Sequence, residues 1–328
     1  MKERAQTLPS QRPADKAATA TPPRFFELIP ANTNIDFVRM APRMALLSSL
    51  FILVGLASMF LRGGLNYGID FAGGTLVQVR FPQATSIADV RSALGHGGGS
   101  EAAVVQEVGR EGTDFQIRLS GAGTTDAGEA VRLGLKEKFG EGAYDVLRVE
   151  SVGPKVGRDL WRSATLAVLA STVMMGIYIA LRFDLRFGVG AAMALVHDVL
   201  FALAAISLAN MEFDLTTVAA LLTLVGFSVN DNVVISDRIR ENMRKTRRSD
   251  MATVLNVAIN ETLSRTIINS GTVIFVAAAL FVLGGSVIHS FAFTLLVGFI
   301  IGTYSSIFVT TPVVLFLDRR RVRSRGKT

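Results

Sequence analysis

Asp231 and Arg265 are the residues in this sequence whose types and surroundings could support proton chemistry. Asp231 follows Asn230 inside a long apolar run, and Arg265 stands directly before the next apolar run. A charge inside a bilayer costs roughly 3 kcal/mol even on the milder scales, so intramembrane acids usually face an interior or a cavity and serve a function. A carboxyl group removed from water holds a proton more readily, and a nearby guanidinium favours its release. Because arginine stays charged, we predict that Asp231 is the proton-coupling group and that Arg265 is its counter-ion.

The helix that carries Asp231 is expected to present a polar stripe. Helical steps of three and four residues connect a set of mostly small and polar side chains in an otherwise apolar run. This spacing predicts that Asn230 belongs to the coupling site together with the carboxylate. The members of the stripe are Thr216, Ala220, Thr223, Phe227, Asn230 and Asp231.

Asp198 is the second candidate acid, in the middle of a different apolar run and next to His197. Adjacent residues on a helix cannot face the same way, and we favour Asp198 because a buried charge requires a partner. Asn269 follows Arg265 at i+4 and continues its helix face, so it is a possible supporting residue.

Simpler interpretations of these residues remain open. Asp231 could lie near enough to the membrane surface to reach water and to pair with Arg238. Arg265 could be a snorkelling residue that only anchors a helix end. Asp237 and Arg238 are possible supporting residues, but with Glu241 they lie at the membrane edge, where a surface ion-pair cluster is the simpler account.

Composition places these residues in a membrane protein. The chain has 328 residues, is 50% hydrophobic, has a mean hydropathy of +0.41, and concentrates its apolar residues in long runs. A net charge of +7 could suggest nucleic acid, but most basic residues flank apolar runs, where orientation and lipid headgroups explain them better. The chain has no cysteine, and no hydrolase, metalloprotease or kinase motif is present. We therefore expect no enzyme activity, no cofactor, no metal and no nucleic-acid partner.

Six apolar segments are long enough to span a bilayer, which needs ~20 residues. Basic residues cluster at 182–186, 238–248 and 319–327, whereas 210–214 and 284–290 contain none. Because positive charge favours the cytoplasmic side, both termini are predicted to be cytoplasmic. In the sixth segment, Gly298 and Gly302 have the spacing that lets helices pack closely. The predicted spans cover residues 44–61, 163–181, 187–209, 215–236, 266–283 and 291–317.

Residues 62–162 are soluble in character and are predicted to form a periplasmic α+β domain between the first and second spans. Alternating apolar strands and two helical segments follow the order βαββαβ, which is that of a ferredoxin-like sandwich. Three further segments are predicted to be cytoplasmic. They are a disordered tail with an interfacial segment at 1–43, a basic loop at 237–265 whose amphipathic helix lies in the membrane interface, and a basic tail at 318–328.

Several motifs resemble those of the SecF family, the smaller subunit of the bacterial SecD–SecF accessory complex of the protein-export translocon. The resemblance covers most of the chain, from about Phe37 to Leu317. It implies the resistance-nodulation-division superfamily fold and places the family's functional acid at Asp231 and its arginine at Arg265. The motifs are NYGIDFAGGT at Asn66–Thr75, SVGPKVG at Ser151–Gly157, GFSVNDNVVISDRIREN at Gly226–Asn242, the pair His197-Asp198, LSRT at Leu263–Thr266 and NSGT at Asn269–Thr272.

The resemblance also implies the partners and the energy source. SecD would supply the other half of a pseudo-symmetric bundle, and the complex would act with the SecYEG translocon on an unfolded polypeptide at the bacterial inner membrane. The expected energy source is the proton motive force, although some relatives use sodium and the sequence leaves both open. The alternatives are a small-molecule exporter of the same superfamily and a non-transporting assembly factor of the translocon.

Overall fold

The structure is a computed structural model that describes residues 33–96, 103–108, 112–119, 125–246, 250–285 and 287–325. The predicted tail at residues 1–32 lies outside these ranges. Membrane-type helices surround a buried centre, and a small α/β domain is inserted between the first and second of them. The elements in chain order are α1 (Phe37–Leu61), β1 (Asn66–Tyr67), α2 (Ile69–Ala72), β2 (Gly74–Arg80), α3 (Ile87–His96), β3 (Ala103–Glu107), β4 (Asp114–Leu119), α4 (Thr125–Phe139), β5 (Asp145–Val152), α5 (Pro154–Arg182), α6 (Leu185–Leu208), β6 (Glu212–Phe213), α7 (Leu215–Lys245), α8 (Met251–Leu283), α9 (His289–Ser305), a π-helical turn (Ser306–Thr310) and α10 (Thr311–Arg325).

In the part of the chain that the structure describes, six helical segments are long and apolar enough to cross a membrane, as predicted. They are α1, α5, α6, α7, α8 and a sixth segment in which α9 and α10 are joined through the π-helical turn. Three of these helices begin directly after an aspartate whose side chain accepts a hydrogen bond from a free backbone N–H of the first turn. The caps are Asp36 for α1, Asp184 for α6 and Asp214 for α7.

The α/β domain confirms the predicted βαββαβ order. Its four strands are arranged β3-β4-β2-β5, and all neighbouring pairs are antiparallel. Apolar side chains from the strands, including Val77, Phe115 and Ile117, are buried against α3 and α4 on one face of the sheet. The opposite face is turned towards the loops of the membrane helices. Sequence periodicity did not reveal β1 and β6, which pair in parallel and join the base of the domain to the loop between α6 and α7.

Several helix boundaries differ from the prediction. Helix α1 begins at Phe37 instead of 44, and α5 begins at Pro154, within the segment assigned to the α/β domain. The predicted interfacial helix of the 237–265 loop is not separate, because α8 continues from Met251 to Leu283 without a break. Its apolar face is buried in the protein core, so its placement against lipid is wrong. The predicted tail at 318–328 is helical as far as Arg325.

The sixth span packs closely against α7 at the centre of the bundle. A Cβ at Gly298 would lie 3.1 Å from the side chain of Leu224, and one at Gly302 would lie 3.4 Å from the Cβ of Ser228. The predicted role of this glycine pair in close packing is therefore confirmed. It brings hydroxyl-bearing residues of α9 next to the part of α7 that carries Asp231.

Candidate functional site

Asp231 lies on the inner side of α7 and is only 2% exposed. The hydroxyl of Ser270 on α8 donates to its Oδ2 at 3.2 Å. The Oγ1 of Thr303 on α9 lies 2.7 Å from the same serine hydroxyl. Hydroxyl groups from two neighbouring helices therefore form a short chain of hydrogen bonds that ends at the carboxylate.

Arg265 is placed differently from the prediction. Its side chain is exposed, and none of its nitrogens lies within 4.0 Å of a carboxylate oxygen of Asp231. The physical reason is helical phase, because Arg265 precedes Ser270 by five residues, which turns the two side chains about 140° apart on α8. The expected ion pair is not formed in this arrangement.

The predicted polar stripe of α7 does not include the carboxylate. Thr216, Thr223 and Asn230 are exposed on the outside of the bundle, whereas Asp231 is one helical step further round and points inward. Asn269 on α8 is also exposed. The polar members of the stripe thus form an outer polar face, and the structure does not bring Asn230 together with the carboxylate of Asp231.

Asp198 forms a second buried acidic site on α6. It is fully buried, and Ser228 of α7 and Ser305 of α9 both donate to its Oδ2, at 2.7 and 2.8 Å. The Nδ1 of the adjacent His197 lies 3.2 Å from its Oδ1. The structure therefore places Asp198, as favoured from the sequence, inside the bundle against α7.

Asn232 is a residue that sequence reasoning missed. It is fully buried, its Nδ2 donates to the backbone oxygen of Ser228 at 2.9 Å, and its Oδ1 accepts from Thr310 in the π-helical turn at 2.5 Å. A buried amide between two acidic sites is informative because buried polar groups require partners. The only sequence signal was its place beside Asp231. That position does not reveal whether Asn232 faces the interior, because adjacent residues on a helix point in different directions.

At the end of α7, the predicted surface ion-pair cluster is confirmed for Arg238 and Glu241, whose Nη1 and Oε2 are 2.6 Å apart. The cluster also includes Glu261 of α8, at 2.7 Å from the Nε of Arg238. Asp237 is exposed. Because Arg238 is engaged with these glutamates, it does not serve as the partner of Asp231.

A set of contacts ties the α/β domain to the beginning of α7. The Oδ2 of Asp70 accepts a hydrogen bond from the backbone N–H of Leu215 at 3.0 Å. Arg118 of β4 pairs with Glu212 of β6 at 3.2 Å and also donates to the backbone oxygen of Tyr67 at 2.9 Å. Burial raises the pKa of Glu212, and the positive charge of Arg118 opposes that rise. The glycine-rich motif at Asn66–Thr75 thus lies between the sheet and the helix that carries Asp231.

The helix α5 also packs closely against this motif. A Cβ added at Gly157 would lie 2.8 Å from the backbone oxygen of Phe71. This separation is too short for any side chain, so glycine is required where the second membrane helix crosses α2. Among the described residues, no group of three or more His, Cys, Asp or Glu side chains is arranged to hold a metal ion.

Comparisons with known proteins agree with this architecture. Residues 135–320 match the family "Protein export membrane protein SecD/SecF, C-terminal", and residues 58–84 match the "SecD/SecF GG Motif". The protein translocase subunit SecF of Magnetococcus marinus is 48% identical over 300 residues, which cover 88% of this chain and 95% of that protein. The subunit of the same name from Gemmatimonas aurantiaca is 40% identical, with coverage of 88% and 89%.

Solved structures give the same result. The crystal structure of SecDF, a translocon-associated membrane protein from Thermus thermophilus, matches with a TM-score of 0.80 and 36% identity. The match covers 89% of this chain and 40% of the longer SecDF chain. A super-membrane-facing form of SecDF matches with a TM-score of 0.65 over 90% of this chain. The family match extends over more than half of the chain and its relatives align along nearly their whole length, so this multi-pass membrane protein belongs to the SecD/SecF family of protein-export membrane proteins.

Proposed function

We propose that this chain is the SecF subunit of the bacterial Sec export machinery and uses the proton motive force to promote late steps of polypeptide translocation. The observation that carries this proposal is the carboxyl group of Asp231, buried in an apolar helix bundle with hydroxyl groups as its neighbours. Buried acids in membrane helices mark ion pathways and proton relays. The relatives are named protein translocase subunits, so we infer that this site is coupled to polypeptide translocation.

Asp231 acts as the switch in this mechanism. An ionised carboxylate buried without a cation is costly, and no cation lies within 4.0 Å of Asp231 among the described residues. We therefore assign this arrangement to the proton-bound state. Release of the proton creates a charge that attracts Arg265, and α8 must rotate or slide to bring the guanidinium inward. Rebinding of the proton removes the attraction and reverses the movement.

Asp198 is the second acid of the mechanism. One charge that crosses about 100 mV yields ~2.3 kcal/mol, whereas inversion of a strongly biased two-state equilibrium needs ~5.5 kcal/mol. A single proton suffices only if the two states are nearly balanced. Two buried acids, Asp231 on α7 and Asp198 on the neighbouring α6, allow more than one proton per cycle. Asn232, next to Asp231 in the chain, donates to the backbone oxygen of Ser228, whose hydroxyl donates to Asp198.

Movement at Asp231 reaches the α/β domain through the beginning of α7. Asp70 and the ion pair between Arg118 and Glu212 join the domain to this end of the helix. The covalent connections at Gly63–Leu65 and Pro154–Asp159 flank the same region. A shift of α7 therefore changes the position of the domain, which biases the emerging, unfolded polypeptide outward.

The arrangement in the cell follows from the charge distribution and the outer polar face. Clusters of Lys and Arg favour the cytoplasm for both termini of a bacterial inner-membrane protein, with the α/β domain in the periplasm. SecD covers the exposed polar residues of α7 and α8, Asn230, Arg265 and Asn269, and supplies the second half of the bundle. The complex acts beside the SecYEG translocon.

The alternative functions are less well supported by the chain's architecture. A small-molecule exporter of the superfamily usually contains two six-helix halves and two external regions, and this chain contains one of each among its described residues. An assembly factor that only braces the translocon does not need a titratable group at Asp231. Covalent catalysis would need an activated nucleophile, which the sequence motifs do not offer.

The decisive experiment replaces Asp231 by Asn, which keeps the shape of the side chain and removes its titration. Translocation of a secretory protein into energised inverted vesicles is measured with and without a proton or a sodium gradient. We expect Asp231→Asn to lose the stimulation by the gradient while its complex with SecD still assembles. Asp250→Asn, an exposed acid directly before α8 whose side chain makes no capping hydrogen bond, is the control and should behave like the wild type. Gradient-stimulated export at the normal rate in Asp231→Asn would contradict the proton switch and favour a bracing role.

A further inference from the structure

An apolar pocket opens on the outside of the bundle, at the end of the helices that carries the α/β domain. Its volume is about 340 Å³, within the range of small-molecule and cofactor sites. The walls come from α1, α5, α6 and α7 and are almost entirely apolar. They include Leu169, Leu203 and Leu221.

Two aromatic residues mark the mouth of this pocket. Tyr67 and Trp161 both line it, and their rings meet edge to face with centroids 5.4 Å apart. Trp161 is 40% exposed. Tyrosine and tryptophan concentrate at the level of the lipid headgroups, so the pocket extends from this level into the hydrocarbon.

The pocket faces lipid and not the outer polar face of α7. Val218 and Leu221 of α7 line it, whereas Thr223 and Asn230 are exposed on the other side of the same helix. The neighbouring surface of α5 is apolar, with Leu169 58% exposed. An interaction of SecD with the polar face therefore leaves this pocket open to the membrane.

A strip of positive charge lies directly above the pocket. Lys155, Arg158 and Arg162 follow one another at helical steps of three and four on α5, about three, two and one turns before the pocket residue Thr165. All three cations are exposed, and among the described residues none of them forms an ion pair.

The position of these cations needs its own explanation. They stand at the end of α5 next to the α/β domain, which the charge distribution of the loops assigns to the outer side, where Lys and Arg are normally scarce. The same two turns contain one carboxylate, Asp159, so positive charge predominates. Anionic headgroups attract such clusters.

We propose that this pocket is a binding site for an anionic phospholipid of the outer leaflet. One acyl chain occupies the apolar pocket beside Trp161, and the phosphate and headgroup lie against Arg158 and Arg162. The apolar pocket fits an acyl chain, and the unpaired cationic strip fits a phosphate. A membrane lipid is the ligand that combines both groups. A bound lipid connects α1, α5 and α6 at the level of the glycine-rich motif.

The chain contains a single tryptophan, which makes the site directly observable. The full-length chain is reconstituted in phosphatidylcholine vesicles with an increasing fraction of phosphatidylglycerol whose acyl chains carry bromine, a quencher of Trp161 fluorescence. Vesicles with brominated phosphatidylcholine give the reference. We expect phosphatidylglycerol to quench at lower mole fractions, with a preference of about fivefold for each cation that contacts the headgroup.

The variant Arg158→Gln with Arg162→Gln should reduce this preference to that of phosphatidylcholine while quenching by either lipid persists at high mole fraction. Arg91→Gln with Arg132→Gln, two exposed cations on α3 and α4, is the control and should keep the preference. Equal quenching by both lipids in the wild type would overturn the proposal, as would a preference that survives in the first double variant. Quenching by neither lipid would show that protein covers the pocket and would also overturn it. The assay does not depend on export, so its outcome is independent of the proton switch.

Discussion

At the residue scale, the surroundings of Asp231 depend on groups that carry no charge. Ser270 contacts the carboxylate, and Thr303 contacts Ser270. Ser228 and Ser305 both donate directly to the carboxylate of Asp198. Serine and threonine are common in membrane helices as packing residues, so their types alone do not distinguish a proton site from a helix contact. Only the three-dimensional arrangement assigns these hydroxyls to the two acids.

The contribution of Ser270 can be measured separately. Ser270→Ala removes the hydroxyl that donates to Asp231, and a hydrogen bond between uncharged groups is worth about 0.5 to 1.5 kcal/mol. We expect gradient-stimulated export to fall roughly two- to tenfold, while the amount of folded protein in the membrane changes little. Thr272→Ala is the control on the same helix, because the Thr272 hydroxyl donates to its own helix backbone at Ile268. Equal loss in both variants would indicate a general defect of α8 and would refute a specific role of Ser270.

At the element scale, the sequence correctly predicted the elements whose hydrophobic pattern extends over many residues. The prediction of the six membrane helices rests on long apolar runs, and that of the βαββαβ domain on alternating strands and helical segments; both are confirmed. The strands β1 and β6 contain two residues each, too few for any periodicity. Asp231 and Asn232 face inward and Asn230 does not. This choice depends on the rotational phase of α7, because successive residues are turned by ~100°, and the apolar pattern of the sequence does not fix that phase. The face of α8 was identified correctly, but an apolar face buried in protein and one against lipid look alike in sequence.

The link between the α/β domain and α7 gives a prediction about movement. Asn66 and Glu212 are register partners in the β1–β6 pair, and the chain has no native cysteine to interfere. We expect a disulfide in Asn66→Cys with Glu212→Cys to stop gradient-stimulated export by fixing the domain to the start of α7. After a reductant is added, export should return to the level of the two single-cysteine variants. The Glu212→Cys variant also reports the effect of losing the Arg118–Glu212 ion pair. Normal export by the oxidised protein would show that these elements do not need to separate.

At the scale of the whole molecule, the surface of the bundle is divided into two unlike regions. The outer faces of α7 and α8 expose Asn230, Arg265 and Asn269 within helices long enough to span a bilayer. Polar and charged side chains do not face hydrocarbon without cost, so this region needs a protein partner. The face of α5 is apolar and needs none. The match of this chain to 40% of a longer SecDF chain agrees with SecD as that partner.

The reactivity of single introduced cysteines towards a thiol reagent tests whether a partner covers the polar region and leaves the apolar region open. Cysteines introduced at Thr223 and Asn230 should react with a membrane-permeant thiol reagent when the chain is expressed alone and should become at least several-fold less reactive when SecD is co-expressed. Cysteines at Leu166 and Val173, exposed positions on α5, are the controls and should react equally in both cases. A loss of reactivity on α5, with no change on α7, would place the partner on the opposite side of the bundle.

The π-helical turn at Ser306–Thr310 has a consequence for how the buried polar groups can rearrange. A π-turn holds one residue more than an α-turn, so the helix before it and the helix after it are out of phase by one residue. If the wide turn moves along the chain by one position, each residue that it passes rotates by about 100° while the helix ends stay in place. Thr310, which contacts Asn232 from this turn, can thus exchange its partner by a local change of phase, without sliding the whole sixth span.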